Sequence, residues 1–315
     1  MLSRVADSIY WMSRYVERVE NLARFIDVTL NLMLDLPGDE VGLWQPLVYT
    51  TGDHELFARK YGRANQEAVV RFLAFDTDYP NSIVSCLRAA RENARSVRET
   101  ISSEVWEHLN GFYNTVREAL RGPAAFESPS EFFDGIKLWS HSFKGVFDST
   151  MSRGEGWQIG RLGRLLERAD KTSRILDVKS FMLPHGEGPI DSEEDDLQWS
   201  SVLHSVGGFE MYRQSHHALI PERVIAFLLL DQQFPRAIQY CIKHADRALH
   251  EVTGTPEGEY RHPAEERLGK LRREFAMLNV PAIVADGMHA FLDRLQTRLN
   301  EVGDALQSII SARAA

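Results

Sequence analysis

Cysteine is nearly missing from this chain of 315 residues: there are two, Cys86 and Cys241, far apart. That usage suits a reducing cytosol, so a cytoplasmic protein is expected. Long apolar runs are missing too, and no stretch approaches a membrane span. The opening MLSRVADSIYWMSRY places Arg4 and Asp7 where a signal peptide needs its apolar core. Positive charge is in deficit. The 36 Lys and Arg against 45 Asp and Glu leave a net charge of −9, which speaks against nucleic acid as a partner. No Walker A sequence, no strand-borne G-x-G-x-x-G and no H-E-x-x-H occurs. The Glu-x-x-His pair of di-iron bundles has only a partial match, Asp286-x-x-His289, without a twin. The eleven histidines are scattered, and adjacent His216 and His217 cannot share a metal from one helix face. No metal site is expected. Alternating strand patterns are also lacking, so the chain reads as all-α.

What is present is one helical stretch written twice. SRYVERVENLARFIDV at 13–28 and GRLLERADKTSRILDV at 163–178 share R-x-x-E-R-x-[ED]-x-x-[AS]-R-x-x-D-V. At about 100° per residue, Met12, Tyr15, Val16, Val19, Leu22, Ala23 and Ile26 form an ordinary core stripe. The opposite arc carries Arg14, Glu17, Arg18, Asn21 and Arg24 in the first copy, and Arg164, Glu167, Arg168, Lys171 and Arg174 in the second. Such an arc is often a solvated face of i,i+4 ion pairs. Here Tyr10, Trp11, Phe25, Val28 and Leu32 border it, and Ile175 and Val178 border the second. Apolar residues on both sides of a charged arc predict burial, and buried charge must be paired. Arg14, Glu17, Arg18, Arg164, Glu167 and Arg168 are therefore expected to be buried and paired with one another.

The repetition extends further. FLAFDTDYPNSIVSCL at 72–87 matches FLLLDQQFPRAIQYCI at 227–242, and at that spacing Trp44 falls on Trp199, Gly52 on Gly207 and Glu55 on Glu210. Asp134-Gly135 falls on Asp286-Gly287. The expected architecture is a helical bundle of two duplicated halves, 1–151 and 152–315, related by a pseudo-two-fold axis. The two cysteines occupy matching positions and are expected in the core.

In chain order the pattern predicts a first helix from Ser3 to Leu34 stopped by Pro37-Gly38, a loop carrying Trp44, and helices at 54–61, 66–75, 81–102, 104–120 and 131–151. A capping box at Ser152-Arg-Gly-Glu155 would open the second long helix, which Pro184 would stop near Met182. The acidic stretch 185–197 reads as an exposed loop. Helices at 200–217, 221–230, 236–252, 263–278 and 281–311 complete the chain.

Arg presents a planar fork that grips carboxylate or phosphate two-pronged. The helix at 81–102 adds a stripe of Arg88, Arg91, Glu92, Arg95 and Glu99. If it faces the two repeated helices, Arg88, Glu92 and Arg95 would join Arg14, Glu17, Arg18, Asn21, Arg24, Arg164, Glu167, Arg168 and Arg174 around one cleft for an anionic or zwitterionic ligand. Glu17 and Glu167 are the candidate acid/base groups if the cleft is catalytic. The plain alternative is that these carboxylates only neutralise arginines of neighbouring helices.

LSRVADSIYWMSRYVERVENLAR, GRLLERADKTSR and CLRAARENARSVRE together resemble the alpha-E family, helical bacterial proteins named for an ER motif, and the similarity covers the whole chain. The resemblance implies neighbours: genes for a circularly permuted ATP-grasp protein, a transglutaminase-like cysteine peptidase and sometimes an Anbu-type protease. In some proteins alpha-E is fused to the ATP-grasp module. That setting implies a peptide-ligating or peptide-modifying system. This chain carries no recognisable nucleotide-binding part, so ATP and Mg would sit on the partner. Three roles remain open: an accessory subunit that holds a peptide or amino-acid ligand for an ATP-grasp ligase, an enzyme using Glu17 or Glu167, and a helical scaffold.

Overall fold

Helix boundaries follow local chemistry. The computed structural model describes residues 1–35, 40–122, 124–182 and 192–312, and among them every regular element is helical. The first half holds α1 (Ser3–Asp35), α2 (Glu40–Thr51), α3 (His54–Tyr61), α4 (Gln66–Val70) running into a π-turn at Arg71–Phe75, α5 (Ile83–Ser96), α6 (Ser103–Ala119), α7 (Ala124–Glu127) and α8 (Pro129–Thr150). The second holds α9 (Glu155–Met182), α10 (Ser192–Ser205), α11 (Phe209–Ser215), α12 (Pro221–Leu230), α13 (Ile238–Thr253), α14 (Pro263–Phe275), α15 (Val280–Asp286) and α16 (Met288–Ala312). Proline opens α12 and α14, where its missing N–H costs nothing. Side chains of Asn65, Ser82 and Ser102 accept from backbone N–H groups of the first turns of α4, α5 and α6.

Several expected boundaries move. Trp44 is not in a loop: it lies in α2, fully buried, its indole N–H donating to Met33 Sδ at 2.9 Å. An apolar stretch containing Pro46 hid this helix from a periodicity argument. α9 starts at Glu155, three residues after the expected capping residue Ser152, and the Glu155 carboxylate takes the Met1 ammonium at 2.9 Å. Of the acidic stretch, residues 192–197 are helical, opening α10, and 185–191 lie outside the described residues. The helix at 200–217 is broken at 206–208 and that at 281–311 at Gly287. α5 and α14 end earlier than expected, at Ser96 and Phe275. Pro37-Gly38 and Pro184 lie outside the described residues.

The centre of the molecule is the crossing of α1 and α9. α5 and α8 cover α1, while α13 and α16 cover α9. α6 lies on α5 and α8, and α14 lies on α13 and α16. α2 and α10 pack across the two halves: α2 rests on α9, and α10 rests on α1. Cys86 and Cys241 are both buried, each Sγ facing a proline carbonyl, Pro80 at 3.7 Å and Pro235 at 3.5 Å. Burial pushes their thiols up to about 11 and about 12, so neither is a ready nucleophile.

The crossing is close because α9 presents glycines to α1. A methyl at Gly163 would sit 2.6 Å from the Tyr10 carbonyl oxygen, and one at Gly160 would sit 2.9 Å from Ser13 Oγ of α1 and 2.7 Å from Phe147 of α8. Backbone cannot swing aside as a side chain can. Gly163→Ala is therefore expected to push the helices apart at a cost of about 1–3 kcal/mol. Chemical denaturation would measure this, with the exposed helical Gly145→Ala as the control. Equal midpoints for the two variants would refute close contact at the crossing.

Candidate functional site

Because α1 and α9 cross with their charged arcs turned toward each other, each ER glutamate reaches an arginine of the other helix. Glu17 and Glu167 are both fully buried. Arg168 grips Glu17 two-pronged, Nε and Nη2 donating at 2.9 Å each. Arg18 grips Glu167 the same way, Nε at 2.6 Å and Nη2 at 3.0 Å, and Arg14 Nε donates at 2.8 Å. Aromatic rings hold the arginines in place: Arg14 lies over Tyr10 and Trp11, and Arg18 over Tyr15.

Burial raises the pKa of Glu17, but the Arg168, Lys144 and Arg236 cations outweigh it and hold the carboxyl well below the usual range. Burial likewise raises Glu167, and Arg18, Arg14 and Lys171 bring it well below. Both are carboxylates at neutral pH. As ionised acceptors already engaged with guanidinium forks, they have no proton to give to a substrate.

One turn further along, Glu20 takes Arg24 Nε at 2.9 Å, and Asp170 takes Arg174 Nε at 3.0 Å. These arginines cross to the other half. Arg174 Nη1 donates to the Thr50 carbonyl at 2.8 Å beside Gly52, and Arg24 Nη1 lies 3.1 Å from where a Gly207 side chain would begin. Gly52 and Gly207 both hold left-handed φ, 78° and 61°, a conformation that suits glycine at these turns. Further on, Asp27 pairs with Lys137 at 2.6 Å and Asp177 with His289 at 2.8 Å.

The expected set does not assemble whole. Arg164 is half of no ER pair; its neighbour is Asp148 at 3.6 Å, and burial among cations pulls its pKa down. Arg88 and Arg95 face solvent on α5. Arg88 donates to the Thr77 carbonyl at 3.4 Å, and Arg95 and Arg91 both pair with Glu92. That stripe stands apart from the α1–α9 crossing.

Other residues complete the cluster. Lys144 of α8 sits 2.9 Å from Glu17 and also contacts Glu20. Arg236, just before α13, is buried and reaches Glu17 at 3.3 Å, the Asn21 side-chain Oδ1 at 2.9 Å, and Glu20. His141 Nε2 meets Glu20 at 3.0 Å. A lone Lys or His on an amphipathic helix gives no sequence signal. Arg236 did leave one: it is the odd residue of the P-x-[SA]-I pattern, where the first half has Asn81.

That difference shapes the space around the two glutamates. Near Glu167 a cavity of about 150 Å³ opens, lined by Arg14, Arg18, Lys171 and Arg174 together with Asp170, Tyr79, Asn81, Thr50, Thr51 and Asn300. Arg18 Nη1 donates to Asn81 Oδ1 at 2.5 Å on its wall. A second, wider cavity of about 500 Å³ is lined by Arg24, Asp27, Asn31, Lys137 and His204, with Leu32, Leu34 and Leu197. Among the described residues no cluster of three His, Cys, Asp or Glu could hold a metal, and no helix is long and apolar enough to cross a membrane.

The family model named Alpha-E, described as a predicted alpha-helical domain with a conserved ER motif, matches residues 1–309. The chain is also similar to the uncharacterized protein Mb2597 of Mycobacterium bovis and to the uncharacterized proteins MT2643 and Rv2567 of Mycobacterium tuberculosis. Each is 25% identical over 336 aligned residues, which take in 96% of this chain and 36% of the relative. The chain thus spans about a third of the length of the curated relatives it matches. No solved structure matches it.

Proposed function

The chain belongs to the Alpha-E family, and we propose that it is the ligand-holding partner of an ATP-grasp peptide-ligating system. In this reading the cavity beside Glu167 binds a molecule bearing a carboxylate or phosphate, while ATP and Mg stay on the partner. A transglutaminase-like peptidase would act on the same peptide, and the system would work in the cytoplasm. The observation that carries the reading is the cavity wall: four cations stand there with one carboxylate, Asp170, and Glu167 buried behind Arg14 and Arg18, in a protein whose net charge is −9. A local cationic excess inside an acidic protein is suited to an anion. The length of the mycobacterial relatives adds support, because there the matching sequence is part of a longer chain.

The reading extends to architecture. The two halves, 1–151 and 152–315, are taken as duplicated units related by a pseudo-two-fold axis. Several contacts recur at the repeat spacing: Phe72 on Tyr79 and Phe227 on Phe234, Cys86 on Pro80 and Cys241 on Pro235, Arg18 on Glu167 and Arg168 on Glu17. Superposition of the halves tests this. Different placements of α1 and α9 within their units would end it.

The functional test is calorimetry with the neighbouring ATP-grasp protein, its peptide substrate and ATP, separately and together. Arg18→Lys keeps charge but loses the fork, and is expected to weaken peptide binding about tenfold, the worth of one charge-assisted hydrogen bond. Identical isotherms for wild type and a folded Arg18→Lys variant would leave the ER pairs a purely structural role.

A further inference from the structure

Two positions exchange their residues between the copies of the repeat. Where the first ER helix has Asn21, the second has Lys171; where the second half has Arg236, the first has Asn81. Each glutamate therefore has one long cation and one asparagine nearby, but from opposite elements. The exchange is not neutral in space. Arg236 spans the gap to Glu17, Asn21 and Glu20 and is buried there. Asn81 is too short to cross, and the cavity of about 150 Å³ lies beside it.

The polar groups around that cavity do not close on themselves. Asp170 is buried, 5% exposed, and its Oδ2 takes both Lys171 and Arg174. Its Oδ1 accepts no hydrogen bond from any described residue. On α16, Gln296 lies one turn before the wall residue Asn300, and its buried Nε2 donates to no described residue either. A buried ionised oxygen without a donor costs several times an ordinary hydrogen bond, so it marks a place for a donor from outside. Meanwhile Arg14 uses two N–H groups, on Glu167 and on the Tyr10 hydroxyl, and Arg174 two, on Asp170 and Thr50. A guanidinium has five. The cavity thus offers donors for an anion, and Asp170, which lines it, keeps one carboxylate oxygen without a donor among the described residues.

Resting on the reading of this cavity as a ligand site, we propose that it takes a zwitterion of amino-acid size, its carboxylate on Arg14 and Arg174 and its ammonium on Asp170 Oδ1, and that Asn81 keeps it open where Arg236 fills the matching place. Arg14, Arg174 and Asp170 all line this one cavity, so a single small molecule can meet both kinds of group. An inorganic anion would satisfy the arginines and leave Asp170 Oδ1 unmet. A free amino acid satisfies both.

The test is titration of the full chain, by calorimetry and ligand-observed NMR, with L-alanine, L-glutamate, their N-acetyl forms and inorganic phosphate. A free amino acid is expected to bind at least tenfold more tightly than its N-acetyl form, which lacks the ammonium. Asn81→Arg should abolish binding; circular dichroism checks that this variant is folded, because the substitution also removes the acceptor of Arg18. Asp170→Asn should erase the preference for the free amine; the fold of that variant is checked by circular dichroism. If free and N-acetyl forms bind alike, or phosphate alone binds, the zwitterion assignment falls and the anion site survives. If nothing binds to wild type, the ligand-site reading falls with it. Binding that persists in Asn81→Arg would place the ligand elsewhere and overturn the proposal.

Discussion

Replacing Glu17 by alanine is expected to cost about 3–5 kcal/mol in urea unfolding, the penalty for stranding buried charge. Glu17 is a single carboxylate shared by three cations from three elements: Arg168 of α9, Lys144 of α8 and Arg236 before α13. Its removal leaves those cations facing one another, with Glu20 still touching Lys144 and Arg236. Lys144 shows how poorly they would stand alone, since burial already pulls its pKa below the usual lysine value despite Glu17 and Glu20. Glu17→Gln would keep the shape and lose the charge, so it separates cavity from electrostatics. The contrast is Glu92→Ala on the solvent-facing stripe of α5, where an exposed pair is worth about 0–1 kcal/mol. If Glu17→Ala and Glu92→Ala unfold at the same urea concentration, the ER glutamates do not hold the helices together.

Acid should unfold the protein steeply. Glu17, Glu20, Glu167 and Asp170 are all raised by burial, yet their cationic neighbours bring each below its ordinary value. A group with a depressed folded-state pKa binds fewer protons folded than unfolded. Its stabilisation is fully present above the unfolded pKa, about 4 for these residues, and is lost as pH falls toward the folded value. Below pH ~4 each group removes up to about 1.4 kcal/mol per pH unit. Four together remove several, against a total stability of about 5–15 kcal/mol. Urea midpoints should be insensitive to these carboxylates above pH ~5 and fall sharply below pH ~4. Glu167→Gln should flatten that acid limb while lowering the plateau. A gradual decline that Glu167→Gln does not alter would mean that the cluster is not ionised as a unit.

Both expectations depend on burial of the ER arc, and this much was written in the sequence. Charges bordered by Tyr10 and Trp11 on one side and by Phe25 and Val28 on the other could not all face water, and Glu17 and Glu167 are indeed fully buried. The core stripe on the opposite face was equally readable, as were the starts of α12 and α14 at their prolines and the burial of both cysteines. The membership of the charge cluster was not readable. Lys144 and His141 sit on α8 like any solvent-facing residues, and Arg164 repeats the pattern of Arg14 without repeating its partner. Nor could the pattern show that α5 turns Arg88 and Arg95 outward.

The division has a physical cause. Periodicity acts within one helix: it fixes which residues share a face and whether that face can tolerate water, so the all-α character and the buried ER arc were determined by the chain itself. Which cation meets which carboxylate depends on the crossing of two helices, on their rotation and on their sliding past each other by fractions of a turn. The close approach at Gly160 and Gly163 sets that register between α1 and α9, and it decides that Arg168 grips Glu17 while Arg164 turns to Asp148. The reach of one side chain across the packed elements decides the rest: Arg236 fills the space over Glu17, and Asn81 leaves a cavity beside Glu167.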